Sequence, residues 1–183
     1  MSKRAVIVVD IQNEYFSSGK LPLVNIEQAA ANAARVIQMA RQNKDLLIHV
    51  HHEFPDPNAP LFTPGSDGVE IHESVAPDSD EPVILKNYPN SFLNTNLKEL
   101  LDTNSVEEVV VIGAMSHMCI EATSRAASDF GYKVTVVEDA CATMDLEFNG
   151  MKVPAAQVHA TAMAALEFAY ANIKSTAGFI NSY

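Results

Sequence analysis

Three side chains of complementary chemistry stand at the ends of apolar bursts in this sequence. Asp10 follows Ala5 to Val9, Lys86 follows Val83-Ile84-Leu85, and Cys119 lies in Gly113-Ala114-Met115-Ser116-His117-Met118-Cys119, directly after Val109 to Ile112. An acid, a cation and a thiol are the groups a cysteine hydrolase requires. Singly, each has a plainer role. An Asp after a strand is often a turn former, a Lys is normally solvated, and a free Cys is usually a small buried hydrophobe. Their shared position is what suggests chemistry, because ligands of open parallel sheets sit beyond the carboxyl ends of the strands. With Ser116 as a helix N-cap, Cys119 would fall in the first turn, where unpaired N–H groups and the helix dipole favour a thiolate.

Other candidates are read against that trio. Cys141, inside Glu138-Asp139-Ala140-Cys141, has no helix start or cation nearby in sequence and is read as structural. His49 and His51 would share one face of a strand and could chelate a metal, with His52 and His72 as further ligand candidates. His52 or His72 is read instead as a pocket or loop-anchoring residue, and no metal and no cofactor is expected. Phe16, His117 and Met118 flank Asp10 and Cys119 and are candidates for the substrate pocket wall, although Phe16 suits a core equally. Gly65-Ser66-Asp67-Gly68 lacks a Walker lysine and a following apolar helix, so it is not a phosphate loop.

The elements that must position these residues alternate in kind. Val- and Ile-rich runs at Ala5 to Val9, Leu46 to Val50, Val83 to Leu85, Val109 to Ile112 and Val134 to Val137 read as strands buried on both faces of a parallel sheet. A weaker sixth strand is placed near Ile173 to Ser175. Helical spacing of apolar residues marks Ile26 to Arg41, Leu97 to Leu101, Ile120 to Phe130 and Val158 to Tyr170. This alternation predicts an α/β fold with right-handed crossovers. The proline-rich stretch Phe54 to Glu81 is long for a structureless connection and is expected to form a lid or rim of a site. Thr143 to Pro154 is irregular, with Phe148-Asn149-Gly150 as a turn signal before the last helix.

The 183 residues correspond to one domain, 1–183, with no repeat or linker to divide it. The 48% hydrophobic and 19% charged residues describe a folding, globular chain. Twelve Lys and Arg against 23 Asp and Glu give 12 − 23 = −11, a charge that repels phosphate backbones and anionic bilayers, so neither nucleic acid nor a membrane is an expected partner. Two Cys without paired spacing, and no apolar run long enough for a signal or spanning helix, lead to the expectation of a cytoplasmic protein.

The order Val9-Asp10-Ile11-Gln12-Asn13, Lys86-Asn87-Tyr88 with Ser91-Phe92 and Thr95-Leu97, Gly113 to Cys119 with Thr123, Val137 to Thr143 and Val158-His159 resembles the isochorismatase-like cysteine hydrolase superfamily. The resemblance implies a three-layer α/β/α fold with a six-stranded, mainly parallel sheet, assembled as a dimer or larger homo-oligomer. It implies a catalytic triad of Asp10, Lys86 and Cys119, with a cis peptide between Ala114 and Met115 and an oxyanion hole from the backbone N–H groups of Met115 and Cys119. The nicotinamidases of the superfamily bind a metal with an Asp two residues before a His on the second strand. Here that position is Val50, so the metal pattern is broken. Superfamily members that cleave a vinyl ether manage without the cysteine, so Cys119 points to a small amide, imide or ureide cleaved at C–N through a thioester. An ether or ester hydrolase and a non-catalytic α/β small-molecule-binding subunit are the alternatives. A dinucleotide oxidoreductase is disfavoured, since Asp10-Ile11-Gln12-Asn13 stands where G-x-G-x-x-G would follow the first strand.

Overall fold

Alternating short Val/Ile-rich runs and longer amphipathic segments build a six-stranded parallel sheet with helices on both faces. The computed structural model describes residues 3–182. The strands are β1 (Arg4–Val9), β2 (Leu46–His52), β3 (Val83–Lys86), β4 (Glu108–Ala114), β5 (Lys133–Ala142) and the last edge strand, here β8 (Asn172–Lys174), in the order β3-β2-β1-β4-β5-β8. Every pairing in this sheet is parallel.

Period-two alternation sorts the strand side chains between two cores. Val6, Val8, Val110 and Ile112 pack against α1 (Ile26–Asn43) and α5 (Thr176–Ile180), where Ala33, Val36, Ile37 and Phe179 meet them. Ala5, Ile7, Val9, Val109 and Val111 pack on the other face. Their partners there come from α2 (Leu97–Thr103), α3 (Glu121–Asp129) and α4 (Ala155–Ala169), including Leu97, Leu101, Ala127, Met163 and Leu166. No helix among the described residues is long and apolar enough to cross a membrane.

The structure departs from the sequence expectation in four places. β5 continues through the acidic pair Glu138-Asp139 to Ala142, with a bulge where Val111 pairs Val136 but Gly113 pairs Cys141. That bulge absorbs extra residues in one strand, which lets a polar pair sit inside an otherwise apolar run. The segment after it is a hairpin, β6 (Leu146–Phe148) with β7 (Met151–Val153), closed by Asn149 and Gly150 at φ 51° and 76°. Two left-handed central residues are what a tight type I′ connection requires. The helix α5 was not expected, since five residues carry no periodicity; Ser175 caps it by accepting from the Gly178 N–H. The α4 helix also begins at Ala155, ahead of the expected Val158.

The proline-rich stretch is a fixed rim. Phe62, Val69 and Val75 are buried from it into the core. Its backbone is stitched to the segment after β1 by a Gln12–Ile71 bridge, Asn13 N–H to Glu70 O (3.0 Å) and His72 N–H to Ile11 O (2.9 Å).

Candidate active site

Asp10 ends β1 with φ 53°, the left-handed region that Asp enters more readily than most residues. Its N–H donates to Val50 O at 2.9 Å, so β2 holds the turn. Beside it, Val9 pairs with Gly113 of β4, and a Cβ at 113 would stand 1.8 Å from the Val9 carbonyl oxygen. Gly113 also has φ 126°, which side chains rarely adopt. Gly113→Ala is therefore expected to lose roughly 3–5 kcal/mol of stability, since neither strand can move without breaking the ladder. Urea unfolding checks this, and an unchanged midpoint would show that the strands accommodate the methyl group.

Lys86 closes β3 opposite His52 of β2, and Cys119 sits in the wide turn Ser116–Ile120 between β4 and α3. The carboxyl ends of β1, β3 and β4 thus bring the three expected residues together. The Lys86 Nζ lies 2.7 Å from Asp10 Oδ2, 3.4 Å from Cys119 Sγ and 3.5 Å from His52 Nδ1. Three acceptors surround an ammonium with three protons. Asp10 and Lys86 are 0% and 1% exposed, and Cys119, at 6%, is the most accessible of the three. The peptide bond between Ala114 and Met115 is cis.

Burial alone would discharge Lys86, but Asp10 and then Cys119 more than reverse this and its pKa is raised. His52 goes the other way: burial first and the Lys86 charge second push it down to about 4, so a neutral ring faces the ammonium. Burial, reinforced by the Asp10 charge, pushes the Cys119 thiol up despite Lys86. The sequence expectation of a thiolate at rest is corrected by this. Lys86 is already paired with Asp10, so its charge is not free to hold a second anion. The expected cap is corrected too. The turn carrying Cys119 is a π turn whose preceding residue is Met115, and Ser116 makes no cap bond but donates to Ala142 O (3.3 Å) and meets His159 Nδ1 (2.8 Å).

The remaining candidates are dispersed. Phe16 is buried and stacked face to face on His72, ring centroids 3.6 Å apart, which ties the rim to the residues after Asp10. His72 also anchors its own loop by accepting from the Ser74 N–H. His117 contacts Thr143 Oγ1 at 2.7 Å and lines a groove of about 460 Å³ with Leu146, Phe148 and Val158, while Met118 is exposed. His49 Nε2 pairs with Glu81 at 3.0 Å. His52 faces an ammonium and His49 faces Glu81, and no group of three potential ligands converges among the described residues. Cys141 is buried, its S–H directed at Val137 O (3.4 Å), and burial pushes it up to about 12.

Three residues near the site carried no role in the sequence reading. Gln12, fully buried, donates to His52 O and Val69 O (2.9 and 2.7 Å) and accepts from the His52 N–H (2.8 Å), fixing β2 and the rim at once. Buried Glu14 accepts from the N–H groups of Phe62 (2.9 Å) and Lys20 (3.2 Å). Tyr15 packs edge-on against Phe62, and burial, then Asp10 and Cys119, raise its phenol well above the usual value. Position in the sequence offers no signal for the contacts to His52, Phe62 and Val69, because those partners lie tens of residues away. Only the crowding of polar residues in Gln12-Asn13-Glu14 directly after a strand end hints at them.

Comparison with known proteins agrees with this architecture. A family model described as the isochorismatase domain matches residues 4–176. The Bacillus subtilis protein called uncharacterized isochorismatase family protein YddQ is 49% identical over 176 residues, covering 96% of this chain and 98% of that one. The crystal structure of an isochorismatase hydrolase from Oleispira antarctica superposes with a TM-score of 0.94 at 51% identity, over 97% of this chain and 96% of its own. More distant is maleamate amidohydrolase of Pseudomonas putida, 27% identical over 75% of this chain and 71% of that protein.

Proposed function

We propose that this chain, which belongs to the isochorismatase family, is a cysteine hydrolase that cleaves a C–N bond of a small amide, imide or ureide through a thioester at Cys119. The observation that carries the reading is the contact of one buried ammonium with a carboxylate and a thiol at the carboxyl edge of the sheet. The amidohydrolase among the relatives supports the bond class.

In this mechanism the thiol proton passes to Asp10 as Sγ attacks the carbonyl carbon. Losing that proton to water would leave a net negative charge in a buried pocket. Passing it to Asp10 keeps the charge of the trio constant, and Lys86 then faces the new thiolate at 3.4 Å. The tetrahedral oxyanion takes hydrogen bonds from the N–H groups of Met115 and Cys119. Asp10 returns the proton to the nitrogen as the C–N bond breaks, ammonia or an amine leaves, and Cys119 remains acylated. Water, deprotonated by Asp10, then attacks the thioester, and the acid departs with the thiol restored. Of the two residues expected in the pocket wall, Phe16 is stacked on His72 and His117 lines a separate groove with Leu146 and Phe148, so they do not wall one cavity. Because Asp10 must begin ionised and Cys119 protonated, the trio acts with one mobile proton.

A screen over small amides, imides and ureides, read by ammonia release and, where the nitrogen stays on an organic product, by appearance of the carboxylic acid, tests the bond class. Either signal from wild type is the expected result. Cleavage of vinyl ethers or esters alone would replace this reading with the ether or ester hydrolase, and no turnover of either would favour a binding subunit.

We also propose that the protein self-associates. Of the apolar residues around α4, Val158, Met163 and Leu166 are consumed by the chain's own core, but Phe168 is 92% exposed and the hairpin presents Phe148 at 77% and Met151 at 70%. Apolar side chains left outside in this way mark contact surfaces. Sedimentation at micromolar concentration should show a species heavier than 19.9 kDa, and a 19.9 kDa species alone would contradict the proposal.

A further inference from the structure

Three residues ahead of Cys119, the π turn is fastened from behind by side chains that no step of the mechanism uses. Ser116 is completely buried. Its hydroxyl donates to the Ala142 carbonyl, the last residue of β5, at 3.3 Å, and lies 2.8 Å from Nδ1 of His159 on α4. A hydroxyl has one proton, so with that proton on Ala142 O the Nδ1 of His159 must be the donor to Ser116. The opposite ring nitrogen, Nε2, lies 3.7 Å from Glu138 Oε2 on β5. The next residue of the turn is tied to the same strand end, His117 Nδ1 to Thr143 Oγ1 at 2.7 Å, and Val24 N–H donates to Thr143 O at 2.9 Å.

We propose that Ser116 and His159 form a relay that holds the Cys119 turn closed against the sheet, acting as positioning residues for the nucleophile. The relevance to turnover rests on the reading of Cys119 as nucleophile; the positioning itself does not. A π turn is an uncommon arrangement that persists where side chains around it fix it; its backbone bonds here are local, with Met118 N–H and Ile120 N–H sharing the Met115 carbonyl at 3.0 and 3.2 Å and Glu121 N–H donating to Ser116 O and Met118 O, while the side chains tie it to β5 and α4. The relay supplies a third fixed point from a different layer of the fold. Lys86 Nζ contacts Cys119 Sγ itself at 3.4 Å.

Iodoacetamide alkylation of the intact protein at pH 8, followed separately on the peptides carrying Cys119 and Cys141, reads this positioning without a substrate. Ser116→Ala and His159→Leu are expected to alkylate Cys119 on the order of tenfold faster than wild type, since a lost buried hydrogen bond shifts local opening by about that factor. Cys141, whose S–H is directed at Val137 O of its own strand, should keep its wild-type rate. His159→Asn, whose amide nitrogen occupies the place of Nδ1, should restore the slow Cys119 rate. Equal acceleration at both thiols would mean general loosening and overturn the relay, as would wild-type protection of Cys119 in Ser116→Ala or failure of His159→Asn to rescue. Turnover of Cys119→Ala is measured alongside: activity retained there defeats the nucleophile reading and leaves the alkylation result to judge the relay.

Discussion

Lys86→Met is expected to abolish turnover and to remove about 3–5 kcal/mol of stability, because it leaves the Asp10 carboxylate buried at 0% exposure with no counter-charge. The two effects have separate causes, and a second substitution distinguishes them. Asp10→Asn with Lys86→Met removes both charges, so it should regain most of the stability and none of the activity. Lys86→Arg keeps the charge but asks a planar fork to fit where a compact ammonium is 1% exposed, so turnover should fall steeply with stability partly retained. Denaturant unfolding and ammonia release, measured on the same preparations, check the series. A Lys86→Met protein with the wild-type midpoint would mean that the pair contributes little, and the electrostatic account of the site would fail.

The second large effect is on stability at alkaline pH. Burial raises both thiols, Cys119 and Cys141, the latter to about 12, whereas an unfolded Cys titrates near about 8.5. Above that value the unfolded chain sheds protons that the native chain keeps, so the stability these thiols contribute is complete below about pH 8.5 and is lost as pH rises. Each thiol costs roughly 1.4 kcal/mol per pH unit in that window. The denaturant midpoint should therefore fall between pH 8 and pH 10, and Cys141→Ala should flatten part of that fall. A midpoint independent of pH over this range would show that the thiols ionise as easily folded as unfolded. The same raised thiol means that resting Cys119 should alkylate slowly at neutral pH, the reverse of what a helix start and a nearby lysine suggest in isolation.

That reversal marks where sequence reasoning stops. The inner strands are legible because burial on both faces writes them as continuous Val/Ile runs, as in Ala5 to Val9 and Val109 to Ile112; the edge strand Val83–Lys86 is equally apolar in sequence, yet its Val83 and Leu85 are half exposed, and the ends of these runs locate Asp10, Lys86 and Cys119. The hairpin Leu146–Phe148 and Met151–Val153 leaves almost no such trace, since each strand is short and largely exposed, and only Asn149-Gly150 betrays it. Whether Lys86 stabilises a thiolate depends on who else shares its ammonium, and that was not visible: the answer is Asp10 at 2.7 Å, a residue 76 positions away. The Ser116 hydroxyl looks like a helix cap in one dimension. In the fold, the bulge in β5 brings Ala142 beneath it and α4 brings His159 beside it, and both outbid the cap.

The most direct test of the account is the mass of the enzyme caught during turnover. Acid-quenched wild type, mixed with an amide it hydrolyses, should carry the acyl portion of that amide on the peptide containing Cys119, in an adduct that hydroxylamine removes. Cys119→Ala, folded to the wild-type midpoint, should carry none and release no ammonia. Ammonia release by Cys119→Ala at the wild-type rate, with no adduct on the wild-type peptide, would contradict covalent catalysis by Cys119.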